Sequence, residues 1–289
     1  MKLEDARAET GPPSEPIAGG FGNPPRVPIL KYLAQLPAVR RVARTASDWV
    51  DLQLSTIVAG LREAAPRASG RLLDVGCGNK PYQPIFAPHV TEYIGIEHEA
   101  TFSETAAGHQ GTRPDLTYDG QRIPFPDHSF DTVLNVQVLE HTPRPRLLLS
   151  EMARVLKPGG LLILSAPFQF RLHEQPHDYY RYTSHGLRHL LDEAGLEVEE
   201  VSQQGGLWSL IGHKLNSYLA FRVARIGGVA QSLGKLGHEA AASAVRPRLW
   251  TLPFVGASMF AISAAARVLD PLLAEPDETM SFMVLARRR

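Results

Sequence analysis

Ten consecutive residues, His173-Glu174-Gln175-Pro176-His177-Asp178-Tyr179-Tyr180-Arg181-Tyr182, concentrate the imidazoles, carboxylates and phenols of this chain. Such side chains move protons near neutral pH or ligate metals. The spacing His-Glu-x-x-His matches the zinc-protease string, but that chemistry needs both histidines on one helical face, and Pro176 disrupts the helix between them. That reading is set aside. The string follows an apolar run and Pro167, which makes it a loop, and a loop this dense in titratable groups reads as a site. No metal is assigned; a divalent cation held by His173, Glu174, His177 and Asp178 is the alternative.

A second constellation is built for binding. Leu72-Leu73-Asp74-Val75 runs as a short buried strand into Gly76-Cys77-Gly78, where glycines let the backbone turn sharply and approach a ligand. About twenty residues on, the apolar strand Tyr93-Ile94-Gly95-Ile96 ends in Glu97, where nucleotide-binding α/β folds place a ribose-binding carboxylate. The third glycine of a dinucleotide fingerprint is replaced by Pro81. Asp74 disfavours a pyrophosphate, and no Gly-Lys-Ser/Thr follows. A phosphate-free, cationic adenosyl ligand fits these residues, and S-adenosylmethionine has that chemistry.

With these residues in view, the chain resembles the class I S-adenosylmethionine-dependent methyltransferases, of the type 11 and quinone-methyltransferase-like kind. The resemblance runs through Tyr118-Asp119-Gly120, Ile123-Pro124-Phe125-Pro126-Asp127, Ser129-Phe130-Asp131, Val138-Leu139-Glu140-His141 and Arg154-Val155-Leu156-Lys157-Pro158-Gly159-Gly160, and covers roughly residues 70–204. It implies S-adenosyl-L-methionine as cofactor, bound by Asp74, Gly76, Cys77, Gly78, Glu97, Asp119, Gly120, Val136 and Gln137. Asn135-Val136-Gln137-Val138 departs from the Asn/Asp-Pro-Pro-Tyr/Phe signature of enzymes that methylate amino groups of bases or glutamine. His141 resembles a position common in small-molecule and quinone methyltransferases, with a structural capping role as the alternative.

The loop at 173–182 resembles one in methyltransferases of bacterial surface-glycan and secondary-metabolite gene clusters. On that likeness His173 and His177 are candidate bases, Asp178 orients one of them, and Tyr179, Tyr180 and Arg181 line the acceptor pocket. Asp178, Tyr180 and Arg181 could equally anchor the loop to the next helix. The implied reaction is in-line displacement at a sulfonium methyl, where alignment supplies several kcal/mol and a base adds about 10²- to 10⁴-fold for a hydroxyl acceptor. The expected acceptor is a hydroxyl of a small molecule or glycan, lipid-linked glycans included. C-methylation of a quinone-like or polyketide ring and a non-catalytic cofactor-binding module are the alternatives.

The elements that must position these residues follow from apolar periodicity. Strands are expected near 71–76, 92–97, 115–118, 131–136, 161–166, 196–202 and 278–286, with helices at 144–156 and 184–194. This alternation predicts an α/β, Rossmann-like, doubly wound seven-stranded sheet whose last strand is antiparallel, with a helical insertion between the last two strands. Pro158-Gly159-Gly160 is read as the stop of the helix before the fifth strand. The expected organisation is a disordered tail at 1–28, an N-terminal helical lid at 29–66, the cofactor-binding core at 67–204, the insertion at 205–276 and a final strand with basic tail at 277–289. Apolar residues from Val39 to Leu61 predict one amphipathic helix across 38–64.

The insertion is the main departure from the family pattern, since a connection this long must hold structure of its own. From Gly205 to Val268 it carries seven Lys/Arg against the single acid Glu239, and Leu249 to Ala266 is free of charge. Plain core or dimer packing, contact with a membrane surface and a true span are the three readings, the last opposed by Pro253 and Gly256 and by the need for the final strand to rejoin the sheet. Thirty Lys/Arg balance thirty Asp/Glu, so no basic field holds nucleic acid and no nucleic-acid partner is expected. The single cysteine, Cys77, excludes an intramolecular disulfide. Absence of a signal-peptide layout predicts a cytoplasmic protein, with a peripheral contact on the inner face of the membrane and a homodimer as partner expectations.

Overall fold

The computed structural model describes residues 45, 47–100, 113–223 and 251–289. Its main elements are α1 (Leu52–Ala64), β1 (Arg71–Val75), β2 (Glu92–His98), β3 (Leu116–Tyr118), β4 (Phe130–Val136), α2 (Pro145–Val155), β5 (Leu156–Pro167), α3 (Ser184–Glu193), β6 (Leu196–Gln204), α4 (Leu207–Tyr218), α5 (Leu252–Leu272) and β7 (Ser281–Arg288). The strands form one sheet in the order β3-β2-β1-β4-β5-β7-β6. β1 through β5 pair in parallel, and β7 inserts antiparallel between β5 and β6. The Rossmann-like sheet expected from the sequence is the observed fold.

Both sheet faces are apolar at the centre, where β1, β4, β5 and β7 bury most of their residues, and each face has its own helical cover. On one face Leu73, Val75, Val133 and Leu164 pack with Leu149 and Met152 of α2 and Leu187 and Leu191 of α3. On the other, Leu72, Leu134 and Ile163 meet Ile57 and Leu61 of α1 and Phe86. Burying a leucine on this scale is worth about 1.5–3 kcal/mol. The chain leaves β1 toward β2 on one side and resumes at β4 on the other, which opens a crevice at the strand C-terminal ends between β1 and β4.

Several boundaries differ from expectation for local reasons. α2 stops at Val155, and β5 begins at once with Leu156, so Pro158-Gly159-Gly160 lies inside the strand, at a register shift against β4, rather than capping the helix. The helix expected over 38–64 is broken at Asp51, whose carboxylate accepts from Leu54 N at 3.0 Å and so starts α1 afresh. The final strand begins three residues late, at Ser281. The tail at 1–28 and residues 224–250 of the insertion lie outside the described residues.

The described part of the insertion is a helical pair tied to the core by polar contacts. Asp270 of α5 accepts from the backbone N–H groups of Gly206, Trp208 and Ser209 at 2.8–3.2 Å and from the Ser209 hydroxyl, satisfying the free N-terminal donors of α4. Arg267 donates to Trp49 O at 2.7 Å and Ser55 Oγ at 3.1 Å, and Trp49 stacks on Phe260 with ring centroids 3.8 Å apart. Asn216 bridges Ser263 Oγ and Val50 O. Leu52, Leu210, Ala266 and Met280 form a small apolar cluster beneath.

Candidate active site

The glycine turn after β1 is fixed by the end of β2. Gly76 N and Cys77 N both donate to Ile96 O, at 2.9 and 3.1 Å. Gly76 has φ 77°, and a Cβ there would lie 2.4 Å from Val138 Cγ2, so both conformation and space demand glycine. Glu97 closes the turn: its Oε2 accepts from Gly78 N at 2.7 Å and its Oε1 from His98 N at 3.0 Å. Each oxygen keeps a lone pair, so a vicinal diol can dock on the same carboxylate. Asp74 is buried beneath the turn, where it accepts from Tyr93 OH at 2.5 Å.

Around this turn the other expected cofactor residues take distinct places. Burial, then the carboxylates of Asp74 and Glu97, push the Cys77 thiol up, which makes it an inert packing group. A Cβ on Gly95 would meet Cys77 Sγ at 2.6 Å, a dependence invisible in the sequence. Asp119 is exposed and accepts from Gln121 N and Arg122 N, bonds that pull its carboxyl pKa down; Gly120 packs its backbone against the His98 ring. Val136 ends β4, buried. Gln137 has φ 54° and donates through Nε2 to Ser165 Oγ at 2.9 Å, while Gln53 of α1 donates to its Oε1 at 3.4 Å. Ser165 in turn donates to Gln204 at 2.5 Å.

The donor set of this crevice suits S-adenosylmethionine: buried carboxylates, a glycine cradle a Cβ would fill, and one buried cation, Lys80, already paired with Asp115 at 2.5 Å. Glu97 and the turn would hold the ribose, and the apolar wall of Val136 the rest.

The imidazole-rich loop lies at the same edge, after β5, and docks on the turn that follows β4. Tyr179 N donates to Glu140 O at 2.9 Å, Tyr182 OH to Leu139 O at 2.9 Å and Tyr182 N to Pro167 O at 2.8 Å. His141 and His173 therefore meet edge to face, ring centroids 4.7 Å apart. His141 Nδ1 is 2.7 Å from His177 O, and His173 Nδ1 is 3.3 Å from Asp178 Oδ2 and 3.2 Å from Arg171 O. Burial, then the neighbouring His141, lower the His173 pKa, which favours neutral imidazole. His177 is exposed, with Nδ1 3.0 Å from Tyr179 Oη.

Arg181, expected to line an acceptor pocket, is instead committed to the loop. Its guanidinium donates to both Asp178 oxygens, at 2.7 and 2.8 Å, and to the carbonyls of Phe170, Arg171 and Tyr180, which accounts for all five of its N–H groups. Burial opposes ionisation of Asp178, but the Arg181 bonds and His173 N–H outweigh it and bring its carboxyl down to about 2. Tyr180 donates weakly to Pro143 O at 3.4 Å, and both Tyr179 and Tyr180 remain exposed.

Two residues given no site role from the sequence complete the edge. Glu140 is fully buried beside His141, and His213 of α4 lies tilted against Phe170, centroids 5.2 Å apart; burial pushes its pKa down. Phe170 also meets the His173 ring edge-on at 4.9 Å. A groove of about 450 Å³ opens here between the loop and the insertion, lined by Phe168, Phe170, Arg171, His213 and Lys214.

A family model described as a methyltransferase domain matches residues 73–164, which hold the glycine turn, Glu97 and His141. Over residues 73–164 the chain is similar to methyltransferase domains. An uncharacterized methyltransferase of Mycobacterium tuberculosis is 38% identical to it over 125 residues, 43% of this chain and 47% of that protein. One of Mycobacterium leprae is 37% identical over 117 residues, covering 40% and 41%. The chain thus spans about half the length of the curated relatives it matches. Among solved structures, an S-adenosylmethionine-dependent methyltransferase from Mesorhizobium loti is similar over 80% of this chain and 96% of its own, at 16% identity and TM-score 0.43. The methyltransferase domain's cofactor is S-adenosylmethionine.

Proposed function

We propose that the chain transfers a methyl group from S-adenosylmethionine to a hydroxyl of a small molecule or glycan, lipid-linked glycans included. The observation that carries this reading is the convergence on one sheet edge of the cofactor crevice after β1 and β2 and the imidazole loop after β5. When bound, S-adenosylmethionine supplies an activated methyl whose leaving group, a neutral thioether, needs no proton. The chain's own task is to align the acceptor and take its hydroxyl proton, worth about 10²- to 10⁴-fold for the proton step. His173 or His177 is the acceptor of that proton, His173 being braced by Asp178 and His177 facing Tyr179. The groove beside Phe170 and His213 fits the acceptor.

The insertion supports a membrane-surface contact that would suit a lipid-linked acceptor. Phe254, Phe260, Val268 and Leu272 of α5 are all exposed. By length and composition α5 is the one described helix able to cross a membrane, but Arg267 ties it to Trp49 and Asp270 and Ser263 tie it to α4, which favours lying on a surface.

Calorimetry with S-adenosylmethionine and S-adenosylhomocysteine tests the cofactor, and no heat with either would defeat the reading. Methyl transfer to sugar, lipid-linked sugar and polyketide alcohols tests the acceptor. Loss of the O-methyl product is expected in His173→Ala or His177→Ala. Undiminished turnover in both variants, or a C-methylated product, would replace the hydroxyl assignment with ring C-methylation.

A further inference from the structure

His141 Nε2 stands 3.7 Å from Glu140 Oε1 and 3.7 Å from Glu174 Oε2. Those gaps are too long for hydrogen bonds. They fit two ligands on one ion, since metal bonds of about 2.0–2.2 Å set ligand atoms roughly 3–4 Å apart. His173 closes the group: one ligand atom each from Glu140, His141 and His173 lies within 4.8 Å of the others.

The rings are also oriented as ligand rings are. A metal-bound imidazole commonly donates its other N–H to a carbonyl or carboxylate, which fixes the tautomer. His141 Nδ1 faces His177 O at 2.7 Å, which leaves Nε2 of that ring toward the carboxylates, and His173 Nδ1 lies near Asp178 Oδ2 and Arg171 O. Asp178 is held in place by Arg181. The side chains of Glu140, His141 and His173 are 0, 16 and 11% exposed, shielded enough for a charge–charge attraction to count.

We propose that Glu140, His141 and His173 bind one divalent first-row metal ion at the strand-end edge. The mixed nitrogen and oxygen set suits Zn²⁺, Co²⁺ or Mn²⁺ over Ca²⁺ or Mg²⁺. His177 and Asp178 are supports, through a carbonyl and a carboxylate, and His177 is left as the proton acceptor. Only the role of the ion, polarising the acceptor hydroxyl, rests on the proposed function; its binding does not.

The test uses the full chain, freed of metal by chelator dialysis and titrated with Co²⁺ and Zn²⁺. One ion per chain is expected, with Co²⁺ giving visible d–d bands, and Zn²⁺ raising Tm. Glu140→Gln, His141→Ala and His173→Ala should each weaken binding by roughly tenfold or more, while His189→Ala, exposed on α3, leaves it unchanged. Circular dichroism and S-adenosylhomocysteine affinity confirm that each variant is folded; where His173→Ala fails, His173→Gln replaces it. Absence of saturable binding, or unchanged affinity and d–d spectrum in folded His141 and His173 variants, overturns the site. Cofactor binding without metal binding overturns this inference alone, and metal binding without cofactor binding overturns the proposed function alone.

Discussion

At the scale of single residues, Glu97 carries the clearest consequence. Its two oxygens brace Gly78 N and His98 N and still face the crevice. Glu97→Ala should weaken S-adenosylhomocysteine binding by about 1.5–3 kcal/mol, roughly 10- to 100-fold in Kd, read by calorimetry. An affinity within twofold of wild type would remove it from the ribose site. Glu97 was legible in the sequence because an apolar strand ending in a carboxylate at a set distance from a glycine turn is a local pattern. Arg181 was not: whether a guanidinium faces a ligand or its own loop depends on where Asp178 and the Phe170, Arg171 and Tyr180 carbonyls come to rest.

Among the elements, the insertion helices show how a long connection is made compact. α4 begins at Gly206 with no side-chain cap of its own, and Asp270, sixty-four residues later, supplies the missing carboxylate. Asp270→Ala should cost about 0.5–2 kcal/mol, seen as a fall in Tm of a few degrees, with cofactor affinity unchanged. An unaltered Tm would mean that α4 is capped by water as well as by Asp270. The helices α2 and α3 were readable from apolar periodicity, and in the structure Pro145 stands in the first turn of α2 and Thr183 caps α3, both local devices. The break at Asp51 was not, because the apolar period continues across it and only the cap bond to Leu54 N interrupts the helix.

For the whole molecule, the exposed apolar face of α5 has the widest consequence. It is a long apolar helix with little of it buried, and Phe254 and Leu272 are 74% and 70% exposed. Apolar exposure of that extent marks an interaction surface. The expected outcome is co-sedimentation with anionic vesicles, abolished in a Phe254→Ser, Leu272→Ser double variant. Vesicle-independent dimerisation lost in the same variant would instead assign the surface to a second copy.

The sequence by itself determined the order of elements, the glycine turn with Glu97 at the end of the next strand and the methyltransferase resemblance, because each depends on periodicity and spacing within a few tens of residues. Only the tertiary structure decided that Glu140 and His141, after β4, meet His173 and Glu174, after β5, and that Arg181 serves the loop. Those relations arise where neighbouring parallel strands end side by side, and the sheet order that makes β4 and β5 neighbours is set by packing rather than by any adjacent pair of residues.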